Sequence, residues 1–298
     1  MLAAMLTVFA VPAFAEGEPM AWTNKPATVT GSGTNDDPYC IGDIGALLAL
    51  ANAVNNNHIT FADTYFTLTE DIDMNNSIPS SIEYVLSGFP IASTKTPFCG
   101  HFDGCGHSVN MASYISVGRY GLFGTIDGAT VSNLTINGNI SVTNADSVGG
   151  ICVINKNGTI VGCTNNATIS GQNAAGICCT NNGGIISNCV NNGTISGAVR
   201  AGGICGINYS GTISNCTNTA SISAEIYVDG ICGFNSGGTI TNCSNTGTVT
   251  ESPVGVFPGP VTGSILSDGN IWIIAAVAVI VIGGVAAIVI VKKKKKTA

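Results

Sequence analysis

Between Val148 and Thr250 the chain says nearly the same thing four times: VGGICVINKNGTIVGCTNNATIS, AAGICCTNNGGIISNCVNNGTIS, AGGICGINYSGTISNCTNTASIS and VDGICGFNSGGTITNCSNTGTVT. Equivalent apolar residues fall at Ile151, Ile177, Ile204 and Ile231, then at Ile160, Ile186, Ile213 and Ile240, then at Ile169, Ile195, Ile222 and Val249. Each series steps by 26, 27 and 27 residues. A unit this short cannot bury a core alone, so repeats of this period stack and share one. The single missing residue lies between Ile169 and Gly176, because every other interval is preserved, and that segment reads as a turn tolerant of deletion.

Each unit holds three short β-branched runs (GIC, GTIS and a later TIS-type run) separated by Asn and Gly clusters, with no room for a helix. Three strands per unit make one coil. Stacked coils bring strands about 4.8 Å apart, turning each Ile series into an inner wall. Asn and Gly then fill the corners, where they supply left-handed backbone and stacked amides that hydrogen-bond along the axis. The fold class that follows is all-β, a right-handed parallel β-helix or solenoid with 26–27-residue coils; a sandwich of small antiparallel hairpins is the alternative.

Upstream, YGLFG (120–124) followed by GATVSNLTINGNISV reads as a more divergent coil. The run GLFGTIDGATVSNLTI and the four GGICG-N-GTISNC units resemble the GLUG-type repeats of bacterial surface proteins, whose units look like GGLVG-N-GTI-NC. Segments 33–56 (GTNDDPYCIGDIGALLALANAVNN), 65–74 (YFTLTEDIDM) and 98–109 (FCGHFDGCGHSV) are similar to the pieces that precede such repeats. The resemblance spans about 220 residues and implies an adhesin-like cell-surface solenoid. Independently of it, Asp43 can cap a helix in which Ile44, Leu47, Leu48, Ala51 and Val54 share one face. That helix is expected to cover the open end of the first coil. Alternation of Phe66, Leu68 and Ile72 with Thr67, Thr69 and Asp71 gives the first strands.

The two ends read as export and tether. Residues 1–15 have an apolar centre and end in Ala13-Phe14-Ala15, a small-x-small pattern that predicts signal-peptidase cleavage between Ala15 and Glu16, although the positive n-region is missing. Ile271 to Val291 is an uncharged run long enough to span about 30 Å of hydrocarbon as a helix. Lys292 to Lys296 follow it and place the C-terminus in the cytoplasm, with a single membrane span and the rest of the chain outside. The divisions expected are a signal peptide 1–15, a linker 16–32, a cap with the first coils 33–118, the repeat solenoid 119–250, a Pro/Gly/Ser spacer 251–270, a transmembrane helix 271–291 and a Lys tail 292–298. Within the spacer, GPVTG (259–263) is similar to the sortase signal L-P-x-T-G, which implies cleavage between Thr262 and Gly263 by a sortase; Gly259 departs from the usual Leu.

Eight of the twelve cysteines pair at one separation, i and i+11: Cys152 with Cys163, Cys178 with Cys189, Cys205 with Cys216, and Cys232 with Cys243. Outside the cell these form one disulfide per coil, each contributing about 3 kcal/mol on the chain-entropy model, or else they are an inward ladder of small apolar thiols. No close Cys pair recurs beside His, so zinc is not expected, and no cofactor is.

Upstream of the Lys run only five basic residues face seventeen acids, which excludes a nucleic-acid partner. Asp103, Asp127, Asp146 and Asp229 are the carboxylates to weigh for catalysis. Asp103 with His101 and His107 is the densest cluster, but FDGCGH reads as a turn, and H-E-x-x-H is absent. The leading reading is a non-enzymatic surface solenoid presenting Asn, Thr and Ser rows to a carbohydrate or protein ligand, without an aromatic platform. The alternative is a carbohydrate-active β-helix enzyme, a polysaccharide lyase or glycoside hydrolase, which needs two carboxyl groups flanking one bond.

Overall fold

The computed structural model describes residues 22, 25–74, 90–116, 120–142, 147–251, 277–282 and 285–290. The chain divides into two compact units, Met1–Ser252 and Pro253–Ala298.

The first unit is a parallel β-solenoid with three walls. The first wall has eight strands, beginning with Tyr39–Ile41, Tyr65–Leu68, His101–Asp103 and Thr130–Ser132 and continuing through the four repeats as Thr159–Val161, Ile185–Ser187, Thr212–Ser214 and Thr239–Thr241. The second wall stacks Phe123–Asp127, Cys152–Lys156, Cys178–Asn182, Cys205–Tyr209 and Cys232–Ser236. The third wall is built from the remaining strands of each coil.

All three Ile series lie in register. Ile160, Ile186, Ile213 and Ile240 pair along the first wall, and Ile169, Ile195, Ile222 and Val249 along the third. The backbone N–H of Ile151 donates to Ile177 O, and that of Ile177 to Ile204 O. These residues are buried until the last coil, where Ile240 and Val249 emerge. The divergent coil belongs to the same stack, since Phe123 pairs with Cys152 and Val131 with Ile160.

The missing residue is located as well. Strand Thr168–Ala175 pairs with Ile195–Gly202, and the register slips by one between Gly171 and Asn173, so the deletion is absorbed as a bulge inside a strand rather than in a turn. A second difference is the number of strands. The Cys-x-Asn segment read as a corner contributes a short strand of its own (Thr164–Asn165, Val190–Asn191, Thr217–Asn218), giving at least four strands per repeat coil on three walls.

The corners separate two jobs that the Asn-rich composition merges. Left-handed backbone falls at Asn157, Gly183, Ser210 and Gly237, and again at Gly162, Asn188, Asn215 and Asn242. The stacked amides are different residues. Asn155 Nδ2 donates to Asn181 Oδ1 (2.8 Å), Asn181 to Asn208 (2.9 Å) and Asn208 to Asn235 (2.9 Å). A second ladder runs from Asn165 to Asn191 (2.7 Å), Asn218 (2.6 Å) and Asn245 (2.7 Å). The same amides reach a nearby backbone carbonyl, as Asn181 does to Gly184 O (3.0 Å), so each closes its own turn and bonds its neighbour. This explains one recurrent glycine: a Cβ at Gly211 would overlap the Asn181 amide nitrogen of the preceding coil.

Helix α1 (Ile44–Asn55) follows the first strand at the place where later coils carry third- and second-wall strands. Asp43 Oδ1 accepts from the Ala46 N–H at 2.7 Å, the expected N-cap. The buried face is Ala46, Leu47, Leu50, Ala51, Ala53 and Val54, while Ile44 and Leu48 are only partly covered, so the helix is rotated slightly from the predicted face. It shares one continuous core with Trp22, Phe61, Phe66, Phe98 and the Ile series, and edge-on aromatic contacts such as Phe61–Phe66 (5.1 Å) fill its first coils.

The second unit corrects one expectation. In place of a helix over 271–291, strands Val277–Ile282 and Val285–Ile290 pair antiparallel across residues 283–284. Two β-branched runs separated by Gly-Gly satisfy the hairpin pattern as well as an apolar span does, and here the β preference of Val and Ile prevails. Among the described residues no helix is long and apolar enough to cross a membrane.

Candidate functional site

The outer face of the first wall carries two rows of side chains, because residues either side of the inward Phe, Val or Ile must point out. One row runs Tyr65, His101, Thr130, Thr159, Ile185, Thr212 and Thr239; the other runs Thr67, Asp103, Ser132, Val161, Ser187, Ser214 and Thr241. Most of both rows is hydroxyl, as expected. At the N-terminal end the rows change character. Tyr65 and His101 stack with ring centroids 4.3 Å apart and planes 16° from parallel. This is the aromatic feature that the sequence reading did not find, since neither residue belongs to a repeat.

A groove of about 330 Å³ lies here between the rows. Pro38, Tyr65, His101 and Thr130 form one side; Thr67, Asp103, Cys105 and Ser132 form the other; Phe66 and Phe102 floor it. Asp103 is held by the turn that follows it: its Oδ1 accepts from the Cys105 N–H (2.9 Å) and from Asn133 Nδ2 (3.0 Å). Cys105 adopts the left-handed conformation, so FDGCGH is a turn as predicted.

Among the described residues, Asp103, Asp127 and Asp229 do not converge. His107 leaves Asp103 and pairs with Asp71 (Nδ1–Oδ1 3.5 Å). A hydrogen bond from the Ser108 N–H holds the Asp71 carboxyl below its usual range, with His107 adding to it. Asp127 forms an ion pair with Lys156 (2.6 Å). Asp229 Oδ1 accepts from the N–H groups of Ile231 (2.7 Å) and Cys232 (3.0 Å), fixing the entry to the last second-wall strand. Asp146 lies outside the described residues, as do the two processing positions, Ala15 with Glu16 and Thr262 with Gly263.

All twelve cysteines are free thiols in this structure. Their neighbours are axial: Cys152 pairs with Cys178, Cys178 with Cys205, and Cys205 with Cys232 along the second wall. Cys152 Sγ lies 3.4 Å from Cys178 Sγ, a non-bonded contact. Cys163, Cys189, Cys216 and Cys243 sit at the opposite corner, each donating to a first-wall carbonyl of the preceding coil at 3.7 to 3.8 Å. The i, i+11 partners are thus on different walls, and the intra-repeat bridges are not formed; an inward thiol ladder is the arrangement present. Burial drives the Cys152 and Cys205 thiols well above the ordinary range and the Cys179 thiol to about 11. Contact with neighbouring thiols, then burial, raises Cys216. Among the described residues no group of three or more His, Cys, Asp or Glu could hold a metal ion.

With this geometry established, comparison with known proteins is informative. The GLUG motif matches residues 197–223, which is the third of the four repeat units with its leading strand. The chain is a β-solenoid that carries a GLUG motif in its third repeat. Halomucin of Haloquadratum walsbyi (strain DSM 16790 / HBSQ001) is 35% identical over 158 residues, covering 51% of this chain and 2% of halomucin. The chain therefore spans a small fraction of that relative. A candidate immunoglobulin A1 protease from Bacteroides ovatus has a similar structure, with a TM-score of 0.53, 21% identity, and coverage of 74% of this chain and 69% of the other. At that identity the likeness speaks for the fold alone. The GLUG match falls where the repeat pattern, the Asn ladders and the thiol ladders are most regular.

Proposed function

We propose that this GLUG solenoid is a non-catalytic module displayed at the cell surface, holding a rigid hydroxyl-rich face toward a carbohydrate or protein ligand. The observation that carries this reading is the outer face of the first wall. Along the repeats its two rows are Thr and Ser in register, interrupted at Val161 and Ile185, and are anchored below by continuous Ile and Asn ladders. A face built this way is flat and preorganised, so a ligand need not order it. The separation of Asp103, Asp127 and Asp229 into structural roles also supports binding rather than turnover, since glycoside hydrolysis needs two cooperating carboxyl groups.

Export through the 1–15 segment and retention by the apolar 271–291 segment are parts of the same proposal. Sortase cleavage at Thr262–Gly263 is the other mode of attachment. Protease shaving of intact producing cells tests the reading: peptides from 25–251 should be released while the Lys tail is protected, and protection of the whole chain would refute display. The enzymatic alternative is tested by reducing-end and unsaturated-sugar release from a polysaccharide panel, where turnover lost in Asp103→Ala would replace the binding reading.

A further inference from the structure

We propose that the groove over Phe66 and Phe102 is a binding site for a linear, neutral oligosaccharide lying along the solenoid axis. This deepens the display reading by naming its ligand class and site.

The shape comes first. Register places Tyr65 beside His101 and His101 beside Thr130, and on the other side Thr67 beside Asp103 and Asp103 beside Ser132. Pro38 immediately precedes the first strand and stands at the head of the row. Four strand positions at about 4.8 Å spacing make a trough of about 14 Å, which suits a short chain rather than a single compact molecule. Side-chain height falls abruptly after His101, from two stacked rings to Thr130 and Ser132. The step leaves the imidazole bordering open space above short hydroxyl residues. A sugar ring there sets its apolar C–H face against a ring and its hydroxyls against Thr130, Ser132 and Asp103.

The chemistry selects among ligands. Tyr65–Leu68, His101–Asp103 and Thr130–Ser132 are interior strands of the eight-stranded wall, with their backbone groups engaged in the ladder on both sides. An extended peptide therefore finds no free edge on which to add a strand. Recognition falls to side chains, and those present are hydroxyls, a carboxylate, an imidazole and a phenol. Among the described residues no hydrogen-bond partner is recorded for the Tyr65 hydroxyl or for either ring nitrogen of His101, and both recorded bonds of Asp103 go to Oδ1. Such a set matches a ligand dense in hydroxyl groups. Charge removes the anionic members of that class: Asp103 lines the groove, exposed Asp36 and Asp37 follow Asn35 at its rim, and among the described residues no Lys or Arg lines it.

The test is titration calorimetry on the full-length chain in detergent with cellotriose, chitotriose, xylotriose, mannotriose and trigalacturonate. Saturable one-site binding of at least one neutral trisaccharide is expected, with trigalacturonate at least tenfold weaker. Tyr65→Ala should reduce affinity at least tenfold, and so should Ser132→Trp, which fills the trough. Ser214→Trp, in the same row three strands away, should bind as the parent does, and circular dichroism checks that each variant keeps its sheet. Silence from every neutral trisaccharide would overturn the proposal, as would binding unchanged by Ser132→Trp or a preference for trigalacturonate. Shaving of intact cells reads display separately: released peptides with silent titrations remove the glycan site and leave display, and the converse result does the opposite.

Discussion

Asn181 offers the sharpest test of what holds the coils together. Its amide accepts from Asn155 Nδ2 (2.8 Å) and donates to Asn208 Oδ1 (2.9 Å) and Gly184 O (3.0 Å), with all three asparagines fully buried. Asn181→Ala would leave one Asn155 proton and the Asn208 Oδ1 unpaired. Gly184 O is spared, because it also accepts from the Thr212 N–H at 2.9 Å. Two orphaned buried groups at about 1 to 3 kcal/mol each give a loss of about 2 to 6 kcal/mol. Asn235 ends the same ladder in an exposed position, where solvent can replace the lost partner, so Asn235→Ala should cost only about 0.5 to 1.5 kcal/mol. The assay is urea unfolding followed by far-ultraviolet circular dichroism, with the slope compared between variants because a repeat array can lose coils separately. A double variant, Asn155→Ala with Asn181→Ala, removes both groups of that bond, each of which one single variant leaves orphaned, and should cost about 2 to 6 kcal/mol less than the sum of the singles. If Asn181→Ala costs no more than Asn235→Ala, or if the double variant is additive, the ladder is not a cooperative support.

Gly211→Ala should destabilise by about 1 to 3 kcal/mol through overpacking against the Asn181 amide, and combination with Asn181→Ala should recover part of that loss in the same urea assay. Maleimide labelling of the native chain should modify exposed Cys105 first, then half-buried Cys40, Cys99 and Cys243, with the other eight reacting only in denaturant; fewer than twelve labels after denaturation without reductant would reveal bridges. Alkali should weaken the fold. Burial raises the Cys179 thiol from 9.0 to about 11, so its contribution is complete below pH 9 and is lost, at about 3 kcal/mol, as pH rises from 9 through 11. Cys179→Ala should flatten the decline of the urea midpoint over that window, and an unchanged profile would refute the assignment.

The correspondence between sequence and structure is closest where the chain repeats. Ile160, Ile186, Ile213 and Ile240 could be aligned on paper, and the backbone pairs them as aligned, because a stacked coil has one register that keeps every inward residue inside. The short interval after Ile169 marked where one residue was missing. Asp43 announced a helix start through its side-chain chemistry, and Ile151 announced an inner wall through its recurrence. Periodicity says which residues are equivalent, however, without saying which are neighbours. Cys152 and Cys163 recur at a fixed separation along the chain, yet Cys152 meets Cys178, because the axial rise brings the same position of adjacent coils closer than two walls of one coil. For the same reason composition could not tell a corner Asn in the left-handed region from one buried in a ladder.

What the sequence determined by itself, then, is the coil: its length, its inward residues, its deleted position and its helical start. Only the tertiary structure decided the groove and the tail. Tyr65, His101 and Asp103 lie in irregular early coils with no period to align them, and pairing across the first wall alone places them side by side. The apolar segment near the C-terminus satisfies a hairpin and a span equally on paper, and backbone pairing between 277–282 and 285–290 resolves it in favour of strands. Local pattern specifies an element when the alternatives bury different side chains; where they bury the same ones, long-range contacts decide.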